Sequence, residues 1–310
     1  SITTYELASA PGETARIVPH TEFRDGFNRA GDEVLRAVVA RHIIPAVEQE
    51  LQKRGVDDPS GLIARYFGRD AIGTSQRERN TRVRLVRQIA APVALGILTL
   101  CEEGQAVSGK TCRIRDFFLP AQDDEPRDTS MPFRAPHPQK ETLAAINELA
   151  RRMYPSIEDF SIMDVPLDIV PEAVDKTILD TLGDALSSLC ELVRLYDSDA
   201  LILTGRPSAW NAVIDGILAK VPVPPDRIIP MRHYHVGAWY PFTDAVGRIT
   251  DPKTTVVVGA ILCALAEGHL EGFSFDTRAL RLSSTARYIG EMDINGQLRR
   301  PHVWFEVNVD

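Results

Sequence analysis

The sequence predicts an α/β fold in which a mixed sheet is flanked by helices and interrupted by an inserted helix-rich α+β subdomain. Short apolar runs, Ile2 to Leu7 and Leu201 to Leu203, are too brief for helices and suit strands, the second of them buried on both faces. Glycine turns lead from such runs into residues at helical spacing. The α/β character then returns near residue 195 after a long helical stretch. The core lobe is therefore expected to comprise residues 1–58 and 195–310, with residues 59–194 inserted. Ile2 to Leu7 and Leu201 to Leu203 are expected in one sheet.

In chain order, the opening strand is followed by the turn-prone SAPGETAR and a return strand near Arg16 to Val18. A turn at Ala30, Gly31 and Asp32 comes next. Beyond it Val34, Leu35, Val38, Val39, Ile43, Ala46 and Val47 keep helical spacing, and Pro45 is expected to kink that helix. The insertion reads as a helix from about Thr81 to Glu103, a strand at KTCRIRDFF, and an exposed proline-rich loop at LPAQDDEPRDTSMPFRAPHPQ. A helix at KETLAAINELARRMY, a strand-like FSIMDVPLDIV and the long helix AVDKTILDTLGDALSSLCELVRLYD complete it.

After Leu203 the chain turns through Thr204, Gly205, Arg206, Pro207 and Ser208. Trp210, Val213, Ile214, Ile217 and Leu218 then fall at i, i+3, i+4, i+7 and i+8, one apolar helix face, with Ser208 where an N-cap belongs. DRIIPM reads as a strand, and His233 and His235 alternate as on a strand, without a third metal ligand in view. YHVGAWYPFTDAVGRITDPKT is an aromatic and glycine loop. Asp251 and Pro252 mark an N-cap and first helical position. The following KTTVVVGAILCALAEG is apolar nearly all round, with Gly259, Ala260 and Ala264 small, and is expected to be buried against a close neighbour. The tail alternates around Asn295-Gly296, a hairpin signal.

With 310 residues, 44% hydrophobic and 25% charged, the chain has the composition of a globular protein. Its net charge of -8 argues against a nucleic-acid scaffold. Arg77, Arg79, Arg82, Arg84 and Arg87 read as a solvated helix face. Cys101, Cys112, Cys190 and Cys263 have no zinc spacing and read as reduced core thiols of a cytoplasmic protein. The longest apolar runs, IAAPVALGILTL and VVVGAILCALA, fall short of a membrane span. The start, SITTYELASA, lacks an initiating Met and opens at once in β-like sequence, which reads as a piece of something longer.

The chemistry-bearing features are the two glycine turns. Gly205 lets the backbone adopt a positive φ or admit a ligand closely, and the N–H groups at a helix start favour an anionic or strongly polar group. Neither turn carries a dinucleotide fingerprint or a P-loop.

LILTGRPS with its following helix, together with DPKTTVVVGAILCAL, resembles the end of the actin and seventy-kilodalton heat-shock-chaperone ATPase fold. ITTYEL resembles the strand after that superfamily's second phosphate loop, and AGDEVL its later glycine-acid helix start. LTGRPS, VPPDRIIPM, WYPF and DPKTTVVVGAILCAL look more closely like the bacterial virulence factor SrfB family. The resemblance implies a ribonuclease-H-like, actin-like ATPase lobe. Gly205, Arg206, Pro207 and Ser208 take the place of its adenosine turn, and Gly31 and Asp32 that of the turn near the ribose, both facing one cleft. Where the superfamily has a second glycine, this chain has Arg206, which stacks on a base or blocks it. The basic pair near adenine has only the arginines around Arg84 to match it.

The phosphate loops and magnesium-holding acids of that fold belong to its first half, which is not in this sequence. The resemblance therefore implies no catalytic residue and no metal site here, no tightly bound cofactor, ATP with Mg only in a longer parent, and a missing N-terminal lobe as partner. The alternative is a non-catalytic module that keeps the fold and offers HVGAWYPF and the proline loop to a protein partner, with neither a nucleic acid nor a membrane span involved.

Overall fold

In the computed structural model, residues 1–8, 15–24, 31–68, 75–106, 111–121, 131–221, 223–266, 273–276, 288–292 and 298–306 are described. The chain divides into two compact units, one of Ser1–Asp25 with Gly259–Asp310 and one of Gly26–Val258. The architecture is mixed α/β, rich in helix, with small sheets.

In the unit formed by the two ends of the chain, β1 (Ile2–Ala8) pairs antiparallel with β2 (Ala15–Phe23), so the expected strand and return strand are both present. A further strand, β7 (Phe273–Phe275), runs parallel to β2 and makes the sheet mixed. Arg16 and Asp276 form an ion pair at that edge. Tyr288–Met292 and Leu298–Glu306, the strands β8 and β9, pair antiparallel as the tail's alternation suggests. Asn295-Gly296 lies outside the described residues.

The larger unit begins with α1 (Gly31–Val38) and α2 (Ile44–Lys53), joined by a π turn at Val39–Ile43. Pro45 sits in the first turn of α2, where the N–H it lacks is needed least. The backbone N–H of Ile44 instead donates to Val39 O, five residues back, so the expected kink is taken up as a π turn. The same device recurs. After α3 (Ser60–Phe67) comes α4 (Gln76–Leu85), opened by Ser75 and Glu78 in a reciprocal capping box. It runs through a π turn at Val86–Ala90 into α5 (Ala91–Glu102), with Pro92 in the first turn of α5.

Gln76–Glu102 is thus one continuous helix of 27 residues, longer than its apolar run alone, and by length and composition it could cross a membrane. Its apolar residues Leu85, Ile89, Val93, Ala94, Ile97 and Leu98 are buried in the core. Arg77, Arg79, Arg84 and Arg87 are exposed, as a solvated face requires, whereas Arg82 is half-buried and its Nε donates to Arg65 O at 3.2 Å.

KTCRIRDFF contributes β3 (Thr111–Arg113) and then a 3-10 turn at Ile114–Phe117, and FSIMDVPLDIV contributes a 3-10 turn and β4 (Pro166–Asp168). The two short strands pair antiparallel. Between them lies α6 (Lys140–Met153), and after them α7 (Pro171–Leu195), the long helix that leads to β5 (Leu201–Leu203). The unit continues with α8 (Asn211–Leu218), β6 (Ile228–Pro230) and the start of α9 (Thr254–Leu265), within which the division between units falls.

One hydrophobic core runs through this unit. α1 packs on α5 and α7, and α7 packs on α8. Val34, Val38, Ile97, Ile146, Ile178 and Val213 all belong to one buried cluster. Residues 31–58, 59–194 and 195–258 all contribute to that cluster. Buried Tyr66 satisfies its hydroxyl by donating to Ile146 O at 2.6 Å.

Three expectations are corrected by this arrangement. Leu201–Leu203 does not join the sheet of Ile2–Ala8; among the described residues it pairs with β6 alone, in a two-stranded sheet. Its middle residue, Ile202, is 59% exposed, so the strand is not buried on both faces. The apolar run misleads because three residues give no periodicity from which to count covered faces. α9 is also not a buried helix: only Val258 is buried among its residues, Val256 is 67% exposed, and nothing lies within 4 Å of a Cβ placed on Gly259.

Candidate functional site at the strand ends

β5 and β6 are parallel, with Leu201 opposite Ile228 and Leu203 opposite Pro230. Their carboxyl ends therefore lie side by side, and the loops that leave them share one edge. In open α/β sheets this edge is where ligands bind. Met231 N donates to Leu203 O at 2.8 Å, which keeps the two loops together one residue beyond the strands.

The first loop is built around Gly205, at φ 80 and ψ 168, a conformation close to forbidden for a residue with a Cβ. The chain then coils into a 3-10 turn, Arg206–Ala209. Ser208 closes it: its backbone N–H and its hydroxyl both donate to Gly205 O, at 3.2 and 2.6 Å. This overturns the N-cap expectation for Ser208. The extra 3-10 turn delays α8 to Asn211, so Trp210 is its N-cap residue and makes no side-chain cap. Ahead of the glycine, the Thr204 hydroxyl donates to Pro252 O at 3.1 Å and lies 2.8 Å from Thr255 Oγ1.

The Arg206 side chain runs to the carboxyl end of α5. Its Nη2 donates to Thr99 Oγ1 at 2.8 Å and lies 3.5 Å from Glu102 Oε2. Glu102, with its side chain 3% exposed, also pairs with Arg232, two residues past the end of β6. Arg232 Nη2 reaches Glu103 at 3.0 Å, and its Nε reaches His233 Nε2 at 3.1 Å. Burial holds both guanidiniums below the usual arginine range, and the Asp251 carboxylate partly offsets it. Arg206 Nε and Trp210 Nε1 are buried without a hydrogen-bond partner among the described residues.

Beside this network Cys101 is pushed up to about 12 by burial and, after that, by Asp175 and Glu172. Asp175 is raised in turn by burial and by Glu172 and Asp215. Cys190 is buried, and Cys101, Cys112 and Cys263 are half-buried.

The second loop folds back on itself. His233 N donates to Ile249 O at 3.0 Å and Ile249 N to Tyr234 O at 3.0 Å, while the Asp244 carboxylate accepts from Val246 N and Arg248 N. The Arg248 N–H is the largest cause holding Asp244 below the usual carboxylate range. His233 and His235 lie in this loop and not on a strand; His233 takes φ 60, and His235 makes an isolated bridge to Arg248. At the tip Trp239 and Phe242 stand 59% and 47% exposed on either side of buried Tyr240, packed edge to face at 5.5 and 6.2 Å. The Asp251 carboxylate accepts from Lys253 N at 2.9 Å, capping the turn that leads into α9.

Gly31 and Asp32 open α1 as expected, with Asp32 exposed, whereas Ala30 lies outside the described residues. Nothing approaches a Cβ placed on Gly31 within 4 Å. Among the described residues no hydrogen bond joins this helix start to the Gly205 turn. α5 packs on α1 and holds Arg206. Among the described residues no group of three His, Cys, Asp or Glu side chains gathers as a metal site.

Sequence reasoning did not single out Thr99, Glu102 and Arg232. The available signal was small: two polar residues at i and i+3 in the last turn of an otherwise apolar helix, and an arginine two residues past a strand.

The model of the family described as Virulence factor SrfB matches residues 1–310. No curated protein and no solved structure matches the chain.

Proposed function

The chain belongs to the virulence factor SrfB family, and from that premise we propose that it forms the nucleoside side of a nucleotide cleft in an actin-like, ribonuclease-H-like ATPase fold. The observation that carries this reading is the joint edge of β5 and β6, where Gly205 at φ 80 opens the backbone next to two strand-end loops. A planar base needs close backbone approach and a few polar groups, and the turn supplies both. The residues present suit a nucleoside better than phosphates. The Arg206 and Arg232 charges are already met by Glu102 and Glu103, so the edge offers hydrogen-bonding groups and not free positive charge.

In this reading Gly205, Arg206, Pro207 and Ser208 face the base, and Gly31 and Asp32 line the ribose side. ATP with magnesium would supply the transferable phosphoryl group in a longer parent, whose N-terminal lobe would carry the phosphate loops. This chain's own part is to bind and orient the nucleoside. Calorimetric titration of adenosine, and separately of ATP with magnesium, tests it. Weak binding of similar strength for both, without phosphate release, is the expected result. Magnesium-dependent turnover, or binding of ATP but not adenosine, would refute it.

A second reading, a protein-interaction module that retains the fold, is favoured by exposed Trp239 and Phe242. It requires a native chain that binds no adenosine, and Trp239→Ala to abolish capture of a protein partner.

A further inference from the structure

Both loops at the ligand edge end on one carboxylate. Glu102 lies in the last turn of α5, with its side chain 3% exposed, and it faces Arg206 from the loop after β5 and Arg232 from the loop after β6. Its neighbours divide the work. Thr99, one turn earlier on the same helix face, takes a second bond from Arg206, and Glu103 takes one from Arg232. Asp251 is the further acidic group that acts on both arginines. A carboxylate this deeply buried is tolerated because two guanidiniums meet it. Remove its charge and the two cations face each other across a site that has lost its central anion.

We propose that Glu102 is the positioning residue of the ligand edge: one buried carboxylate fixes Arg206 and Arg232 and so holds the two strand-end loops in register on α5. It touches no ligand itself. Its effect on a ligand rests on the nucleoside reading above, but its effect on the loops does not. Because α5 packs on α1 and α7, a movement of either helix has a packed route through α5 to both loops.

The test is hydrogen exchange on the full chain, read at the hydrogen-bonded amides of Ser208 and Trp210 in one loop and of His233 and Ile249 in the other. Glu102→Gln should speed exchange at all four by at least about tenfold while the centre of α5 stays protected. Acceleration in one loop only, or an even rise across α5 and its core, overturns the proposal. If Glu102→Gln does not fold, single replacements decide it. Arg206→Met should release Ser208 and Trp210 alone, and Arg232→Met should release His233 and Ile249 alone. Lysine at either position, which keeps the charge toward Glu102, should restore most of the protection. Methionine and lysine variants that behave alike refute the charge-based hold. Adenosine titration into folded Glu102→Gln should show about tenfold weaker binding. A native chain that binds no adenosine defeats the nucleoside reading and leaves the exchange result to judge Glu102.

Discussion

Replacing Gly205 by alanine isolates the backbone geometry on which the ligand edge depends. At φ 80 and ψ 168 a Cβ forces strain of about 1–3 kcal/mol. Alanine also restricts the unfolded chain, which returns about 0.4–1 kcal/mol. No steric clash adds to the sum, because the nearest heavy atom to the new Cβ is Pro207 Cδ at 3.9 Å. The net loss is about 1–2 kcal/mol, which lowers the midpoint of a unit of roughly 150–250 residues by about 2–8 °C. Scanning calorimetry measures it, with Gly183→Ala in α7 as control. Gly183 is helical, has no atom within 4 Å of an added Cβ, and should gain about 0.5–1 kcal/mol. A Gly205→Ala midpoint equal to or above the native one, with the control behaving as stated, would mean that the turn is not held in this conformation.

Gly96→Ala places a methyl group 2.3 Å from Phe117 Cδ1 in the core, and urea unfolding should show a loss of about 1–3 kcal/mol. The Cys101 thiol, held at about 12, should react with iodoacetamide at pH 8.5 more than about tenfold more slowly than the thiol of the unfolded chain; equal rates would contradict its burial. Asp244 has a depressed pKa in the fold, so its contribution to stability is present above the unfolded aspartate value and is lost as pH falls through the folded one. Carboxyl NMR should show it titrating below the usual aspartate range, and Asp244→Asn should flatten that acid limb. A normal titration midpoint would refute the hydrogen bonds from Arg248 and Val246.

Helices were the legible part of this fold. α6 and α7 coincide closely with KETLAAINELARRMY and the run from Ala173 to Asp197, because an amphipathic repeat over several turns outweighs any single residue. Sheet membership was not legible. Nothing in Leu201 to Leu203 says which strand lies beside it, since pairing is settled by residues far away in sequence, here Ile228 to Pro230. The candidate turn could be found from Gly205 because a glycine between a strand and a helix has a local meaning. The role of Ser208 could not, since whether a serine caps a helix or closes a 3-10 turn depends on one extra turn of backbone. Glu102 and Arg232 lay furthest from sight: they are 130 positions apart, and only the converging loops bring their charges together.

The π turn between α1 and α2 constrains how this helix pair can change. Val34, Val38, Ile43, Val47 and Leu51 are all buried, spaced by four, then five, then four and four. Five residues carry a side chain about 140° round an α-helix, off the stripe its predecessor occupies, whereas the π turn brings such residues nearly above one another. Val39–Ile43 thus contains one surplus residue that the core never notices. Deleting Ala40 would leave Val47 and Leu51 facing inward, yet it would thread Pro45 into a regular helix at a cost of about 3 kcal/mol. Proline and surplus residue are therefore locked together: the deletion becomes tolerable only after Pro45→Ala, and a lineage can lose the pair in that order and not in the reverse.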